Sequence, residues 1–305
     1  MDEALVCCRF LHFAAVLIVF GAAAFRVYGL GNAGNTAALA VYDAWFARLA
    51  VGGSIVALLS GVGVLLATAA RMAGSAAAAI HPSLVWQVLR ETAFGEVWVW
   101  HLASCAGLVV VCGGRPGQHP RLVAVLALLV AASLAWTGHA AMGTGTAGFA
   151  REANQTLHIL AGGLWVGGLV PLAWLLRQAR QSKSKQLPWI EVARDVLPRF
   201  SRMGYAAVGL ILATGCANTA LLVGRPQGLV ATLYGRVLLL KIALFAAMVM
   251  LAAVNRYRLM PRLRHERGDA AAATLARSVV CEQLLGFAVV GVVSQLGTMM
   301  PAINP

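Results

Sequence analysis

Long apolar stretches recur along the whole 305-residue sequence, and they constrain its fold more than any other feature. A helix needs roughly 20 mostly apolar residues to cross the hydrocarbon core of a bilayer. Only 11% of the residues are charged and 60% are hydrophobic, whereas a soluble domain is about 25% charged. We therefore predict an all-α, polytopic membrane bundle, formed by a single integral-membrane domain over residues 1–305. The eight predicted spans are Ala4–Tyr28, Trp45–Ala70, Gly95–Val111, Arg121–Gly138, Ala153–Leu176, Phe200–Val223, Tyr234–Val254 and Ala276–Met299.

Basic residues are distributed unevenly between the connections of these spans. Most of the 24 Lys and Arg residues lie in or beside the first, third, fifth and seventh connections, with dense clusters at 177–199 and 256–267. The positive-inside rule makes these connections cytoplasmic, so both termini are predicted to face outward. The net charge of +13 then reflects topology and attraction to anionic headgroups. We predict membrane lipid, not nucleic acid, as the partner of these residues.

Four histidines are predicted at one depth, in the outward half or at the outward end of four different spans. They are His12, His101, His139 and His158. Ionisable groups inside a bilayer are costly and mark candidate functional sites. A single buried histidine can simply join two helices by a hydrogen bond. A scaffold whose histidines only connect helices therefore remains an alternative.

Sulfur side chains accompany these imidazoles. Cys8 and Cys105 each lie four residues from a histidine and share its helical face. Met142, Met299 and Met300 lie at the outward ends of their helices or in the adjoining loop. Imidazole together with thiolate and thioether suits copper, particularly Cu(I). Cysteine and methionine are also common packing residues, so packing is the alternative role for each of them.

Several further residues within the spans are candidates for a supporting or gating role. Gly162 and Trp165 share a helical face with His158, where glycine would let another helix approach closely and tryptophan would wall off a site. Lys241 and Glu282 are charged residues within the seventh and eighth spans, where structural pairing is the alternative. The sequence contains no Ser-His-Asp arrangement, catalytic carboxylate pair or dinucleotide fingerprint, so we do not expect an enzyme.

Short motifs follow one another in the part of the chain between Trp136 and Pro301. They are Gly138-His139-Ala140, His158 with Trp165-Val166-Gly167-Gly168, Phe200-Ser201, Asn255-Arg256-Tyr257, Glu282 and Pro301. In this order and placement they resemble the copper resistance protein D (CopD) family. The first three helices resemble that family mainly in hydropathy and in His12.

The resemblance implies a multi-pass protein of the bacterial inner membrane, which moves copper inward. The outward termini predicted from the basic residues would then be periplasmic. Copper, with Cu(I) favoured, is expected to bind at the periplasmic face through the four histidines, with the three methionines as capture ligands. Some relatives carry a periplasmic copper-binding domain; here such a donor would be a separate protein. The histidines alone leave a second interpretation open, in which two of them are axial ligands of haem b in a membrane electron carrier.

Overall fold

A computed structural model of the chain describes residues 2–31, 36–114, 117, 119–137, 145–181, 189–265 and 268–302. Within these ranges the chain forms helices and turns, and no strand is present. The α-helices of the described part are α1 (Asp2–Ala24), α2 (Thr36–Met72), α3 (Pro82–Glu91), α4 (Ala93–Gly113), α5 (Pro120–Ser133), α6 (Gly145–Gly162), α7 (Gly168–Gln181), α8 (Trp189–Val223), α9 (Gly228–Ala231), α10 (Leu233–Val254), α11 (Met260–His265) and α12 (Gly268–Leu296).

Wide π-helical turns extend or join several of these helices. They lie at Phe25–Leu30 after α1, at Gly163–Gly167 between α6 and α7, and at Asn255–Leu259 between α10 and α11. Such turns insert an extra residue into a helix and are frequent at functional sites. Pro171 in α7 lacks the N–H that would bond to the carbonyl of Gly167, which favours irregular backbone there.

Seven helical stretches in the described residues are long and apolar enough to cross a membrane. This finding confirms the predicted all-α membrane bundle. The fourth predicted span is the exception, because its apolar segment, Pro120–Trp136, is shorter. It comprises α5 and a 3₁₀ turn at Leu134–Thr137.

Some helices extend well beyond the predicted spans. α8 begins at Trp189 rather than at Phe200, and its first turns bury Trp189, Val192 and Val196. This spacing of three to four residues is that of an amphipathic helix. The polar residues on the opposite face lower the average hydropathy, which is why this segment was missing from the predicted span. The short helix α3 was missed for the same reason.

α1 lies in the interior of the bundle and packs against α2, α5, α7, α12 and the turn at Gly163–Gly167. The backbones of α1 and this turn approach so closely that a Cβ added to Gly21 would overlap Gly167 and Gly168. A Cβ at Gly162 would meet no atom within 4 Å. The prediction that Gly162 permits the close approach is therefore wrong, since its neighbours along the turn have this role.

Large apolar side chains cover the outside of the bundle. Leu59, Trp100, Phe149 and Leu233 are all largely exposed in the isolated chain. Soluble monomers rarely expose large apolar patches. These faces are therefore suited to contact with lipid.

An ion pair fastens α2 to the π turn that follows α1. Arg26 donates from Nε to Asp43 Oδ1 at 2.5 Å and from Nη2 to Oδ2 at 3.1 Å. Its Nη1 donates to the carbonyl oxygen of Gly31. Both charged side chains are largely buried, in contrast to the exposed pair of Arg71 with Asp2 at the other end of α2.

Candidate metal centre

His12 of α1 and His101 of α4 lie in direct contact in the interior of the bundle. Their Nε2 atoms are 2.8 Å apart, and neither side chain is accessible to solvent. Trp98, which lies on the same face of α4, stacks on the His101 ring and donates its Nε1–H to the Gly61 carbonyl. A Cβ at Gly61 would lie 3.2 Å from His12 Cε1. This glycine of α2 thus leaves room for the imidazole.

The second nitrogen of each ring has an oxygen partner. His12 Nδ1 lies 2.8 Å from the carbonyl oxygen of Ala57. Because a carbonyl only accepts, His12 carries its proton on Nδ1 and its neutral ring has a lone pair on Nε2. His101 Nδ1 lies 2.7 Å from Ser133 Oγ, which is itself 2.8 Å from the Val130 carbonyl oxygen.

The Ser133 hydroxyl allows His101 two tautomers. When Ser133 donates to His101 Nδ1, His101 carries its proton on Nε2 and donates it to His12. When Ser133 donates to the Val130 carbonyl instead, His101 donates from Nδ1 to the serine, and both Nε2 lone pairs face each other. Metal-binding histidines typically have this second arrangement, in which the other ring N–H is bound by an oxygen. The pair is therefore compatible with a proton or a metal ion between its rings.

Cys105 places a sulfur beside the pair. Its buried Sγ lies 3.6 Å from His101 Nε2, close to the about 3.7 Å expected for nitrogen and sulfur ligands at about 2.0 and 2.3 Å on one trigonal ion. Two imidazole nitrogens on such an ion lie about 3.5 Å apart, so the histidines would separate by about 0.7 Å. In the present arrangement, no group of three or more His, Cys, Asp or Glu side chains among the described residues is positioned to hold a metal ion.

His158 belongs to a different polar cluster, between α6 and α8. Its Nδ1 lies 2.8 Å from the hydroxyl of Thr214, and Asn154 bonds both the Thr214 carbonyl and Asn218. Lys241 of α10 lies within electrostatic range of this histidine. The structure thus brings two of the four predicted histidines together and gives the third other partners.

The remaining predicted ligands do not join the pair through any described contact. Cys8 packs against Gly63 and a small apolar cluster. Met299 packs in another apolar cluster with Tyr234, and Met300 is 81% exposed. His139 and Met142 lie outside the described residues.

Sequence reasoning missed Ser133 and Trp98 as parts of this site. Ser133 was detectable as a hydroxyl near the end of an apolar span. Trp98 precedes His101 by three residues and so shares its helical face. Neither signal is specific, because serine and tryptophan are common in membrane helices for other reasons.

The geometry gives no support to the haem alternative at this pair. Axial haem ligands bind iron from opposite faces of a porphyrin, whereas these two imidazole nitrogens touch directly. Inserting a porphyrin would require α1 and α4 to move much further apart than a single ion requires.

The fold and the buried imidazole pair define the class of the protein: a polytopic helical membrane protein with a candidate metal centre in its interior. Residues 1–149 match the family model described as "Copper resistance protein D-like, N-terminal domain". Residues 194–296 match the one described as "Copper resistance protein D". No solved structure gives a significant match.

Relatives agree with these family models over nearly the whole chain. "Inner membrane protein YebZ" of Escherichia coli (strain K12) is 31% identical over 96% of this chain and 97% of its own length. "Copper resistance protein D" of Pseudomonas syringae pv. tomato is 30% identical over 99% of this chain and 98% of its own. "Copper transport protein CutJ" of Bacillus subtilis (strain 168) is 30% identical over 82% of this chain and 45% of its own. The chain belongs to the copper resistance protein D family, and it is a copper-related, multi-pass protein of the inner membrane.

Proposed function

We propose that this protein binds copper at the His12–His101 pair and passes it across the inner membrane, acting as a transporter and not as an enzyme. The contact between two buried Nε2 atoms, each on a ring whose Nδ1 has an oxygen partner, carries this proposal. Cys105 would supply a third ligand. Two neutral nitrogens and a sulfur favour Cu(I) over harder ions.

The proposal places copper capture on the periplasmic side, where both termini would lie. His139, Met142, Met299 and Met300 are the proposed capture ligands, and His158 is a later ligand or relay. A separate periplasmic copper-binding protein would deliver the ion. An inside-negative potential would favour entry by about 2.3 kcal/mol per charge per 100 mV.

Cu(I) binding to the purified, full-length protein tests the site. The assay is anaerobic competition with a coloured Cu(I) chelator in detergent, with X-ray absorption to count nitrogen and sulfur ligands. We expect His101→Gln to abolish tight binding, while His81→Gln, at an exposed position, binds like the wild type. Equal binding by both variants would refute the assignment of the pair.

Cysteine variants on one helix test the third ligand. Cys105 and Cys112 are both fully buried in α4. Cys105 lies beside His101, whereas no contact in the described part of the chain joins Cys112 to a histidine. We expect Cys105→Ser to lose the sulfur signal in the absorption spectrum and Cys112→Ser to retain it. Retention in both variants would remove Cys105 from the site.

Transport is tested separately in sealed vesicles that contain the protein. Uptake of Cu(I) should be stimulated by an inside-negative potential and lost in His101→Gln. Tight binding without any uptake would instead identify a protein that holds or delivers copper at one face.

A further inference from the structure

A second polar cluster lies beside a cavity, away from the histidine pair. The cavity has a volume of about 150 Å³, and its lining includes Trp165, Asn255, Glu282 and the exposed Tyr205 and Tyr257. It has room for several water molecules, since a cavity needs only about 10–15 Å³ of such volume to hold one.

Glu282 presents a buried carboxylate to this cavity. Its side chain is 3% exposed. Trp165 Nε1–H donates to Oε1 at 2.7 Å, and Asn255 Nδ2–H donates to Oε2 at 2.8 Å. Two neutral donors stabilise the charge without balancing it, and no ion pair of Glu282 is found among the described residues. A buried carboxylate in this situation requires a proton or a cation.

Asn255 can bond the carboxyl group in either charge state. With Glu282 ionised, the amide donates from Nδ2, and its buried Oδ1 has no partner among the described residues. With Glu282 protonated, rotation of the amide would let Oδ1 accept the new carboxyl O–H. Asparagine is suited to this exchange because its two amide ends are a donor and an acceptor of nearly the same shape.

We propose that Glu282, with Asn255 and Trp165, forms a proton-binding site that is loaded from this cavity. The step is the addition of one proton to the carboxylate, with no other bond formed or broken. The proton comes from water in the cavity and returns to it. The lining is poor in sulfur, with Met260 as its contribution, so the cluster is unsuited to holding Cu(I).

The charged and titratable groups around the site come from few elements. Besides Glu282 of α12, those that line the cavity are Tyr205 of α8 and Arg256 and Tyr257 of the turn after α10; α7 and the turn that carries Trp165 add none. Tyr205 and Tyr257 join their hydroxyls at 2.7 Å. α1 contributes Phe10 and Arg9 against α12 near Gly291 and Gly297, toward the other end of that helix.

The site is also separate from the histidine pair along α1. Leu17 of α1 contacts Gly163 and Gly167, which flank Trp165. His12 lies five residues before Leu17, or about 7.5 Å at the helical rise of about 1.5 Å per residue. The proposal therefore stands whether or not copper binds at His12.

Infrared difference spectroscopy of the full-length protein in nanodiscs tests this proposal. Lowering the pH should produce a carboxylic acid C=O band that shifts in deuterium oxide and is absent from Glu282→Gln. The control Glu96→Gln, at an exposed carboxylate, should retain the band. Trp165→Phe should move the band to higher frequency, because the acid loses the indole hydrogen bond on its oxygen.

Two outcomes would overturn the proposal. One is a band that persists unchanged in Glu282→Gln. The other is a carboxylate signal that responds to Na⁺ or Mg²⁺ at constant pH and not to pH, which would identify a metal cation as the occupant. If Glu282→Gln does not fold, Trp165→Phe decides the question alone, since an unchanged band frequency there would place the protonating carboxyl elsewhere.

Discussion

Replacing Gly21 by alanine should separate the two helical segments that approach each other most closely around α1. A Cβ at this position would lie 2.6 Å from the carbonyl oxygen of Gly163 and would overlap the backbone of Gly167 and Gly168. Ordinary contacts begin at 3.4 Å, so the segments must move apart by at least 0.8 Å, the difference between these two distances. The obstacle is backbone and cannot be relieved by a side-chain rotamer.

Overpacking of this kind costs about 1–3 kcal/mol, and more where backbone must move. Alanine in place of helical glycine recovers about 0.5–1 kcal/mol. We therefore expect a net loss of stability, seen as a lower thermal midpoint of the detergent-purified protein by tryptophan fluorescence. Copper binding by the folded fraction should survive, because the His12 side chain contacts α2 and α4. The turn at Gly163–Gly167, which packs against Gly21, is not among these contacts.

Gly162→Ala is the matched control, since its Cβ would enter open space. It makes the same chemical change in a helix beside the same turn. Its midpoint should equal or exceed that of the wild type. Because both variants recover the same glycine-to-alanine gain, their free energies of unfolding should differ by the overpacking cost alone, about 1–3 kcal/mol. Equal midpoints for the two variants would refute the inferred packing of α1.

Two further predictions concern the site and the ion pair. Ser133→Ala removes the hydroxyl that binds His101 Nδ1, and loss of such a partner lowers metal affinity about 10- to 100-fold. Chelator competition measures the copper affinity of this variant. The control is Ser104→Ala, which removes an exposed hydroxyl of α4. Arg26→Gln breaks a two-bond ion pair with Asp43 and should cost about 1.5–3 kcal/mol, the range for hydrogen bonds to charged groups, measured as a lower unfolding midpoint.

The exposed pair of Arg71 and Asp2 provides the control for the second of these variants. Its atoms are 3.5 Å apart and its side chains are 45% and 70% exposed. Exposed pairs contribute about 0–1 kcal/mol, so Arg71→Gln should lower the midpoint less than Arg26→Gln. The opposite ranking would contradict the structural argument. Equal copper affinities of Ser133→Ala and Ser104→Ala would show that Ser133 does not orient His101.

Much of the fold follows from hydropathy, because the apolar part of each span is determined by the thickness of the bilayer. The extensions beyond that thickness do not follow from it. The amphipathic start of α8 at Trp189 and the short helix α3 are stabilised by packing of one face, and averaged hydropathy does not detect this. The apolar part of α5 is shorter than a typical span, so its length alone is a weak predictor.

The histidine pair was predictable only in part. Membrane depth could be estimated from topology, and it brought His12 and His101 into one candidate set together with His158. Depth does not specify which helices are neighbours. That information depends on packing, such as the approach of α1 to the turn at Gly163–Gly167, and it assigns His158 to Thr214 of α8 instead.

Charge balance gives a reason why the proposed site would favour Cu(I). The pair and Cys105 are inaccessible to solvent, and an isolated charge in such a place is costly. Binding of Cu(I) with loss of the Cys105 thiol proton leaves the site neutral, whereas Cu(II) leaves one positive charge. The tautomer permitted by Ser133 frees both imidazole nitrogens without release of a proton.

We therefore expect about one proton per Cu(I) to appear in a weakly buffered indicator solution, since metal binding releases the protons of its ligands. Cys105→Ser should release none, and equal release by both proteins would exclude the thiolate and this explanation of the preference.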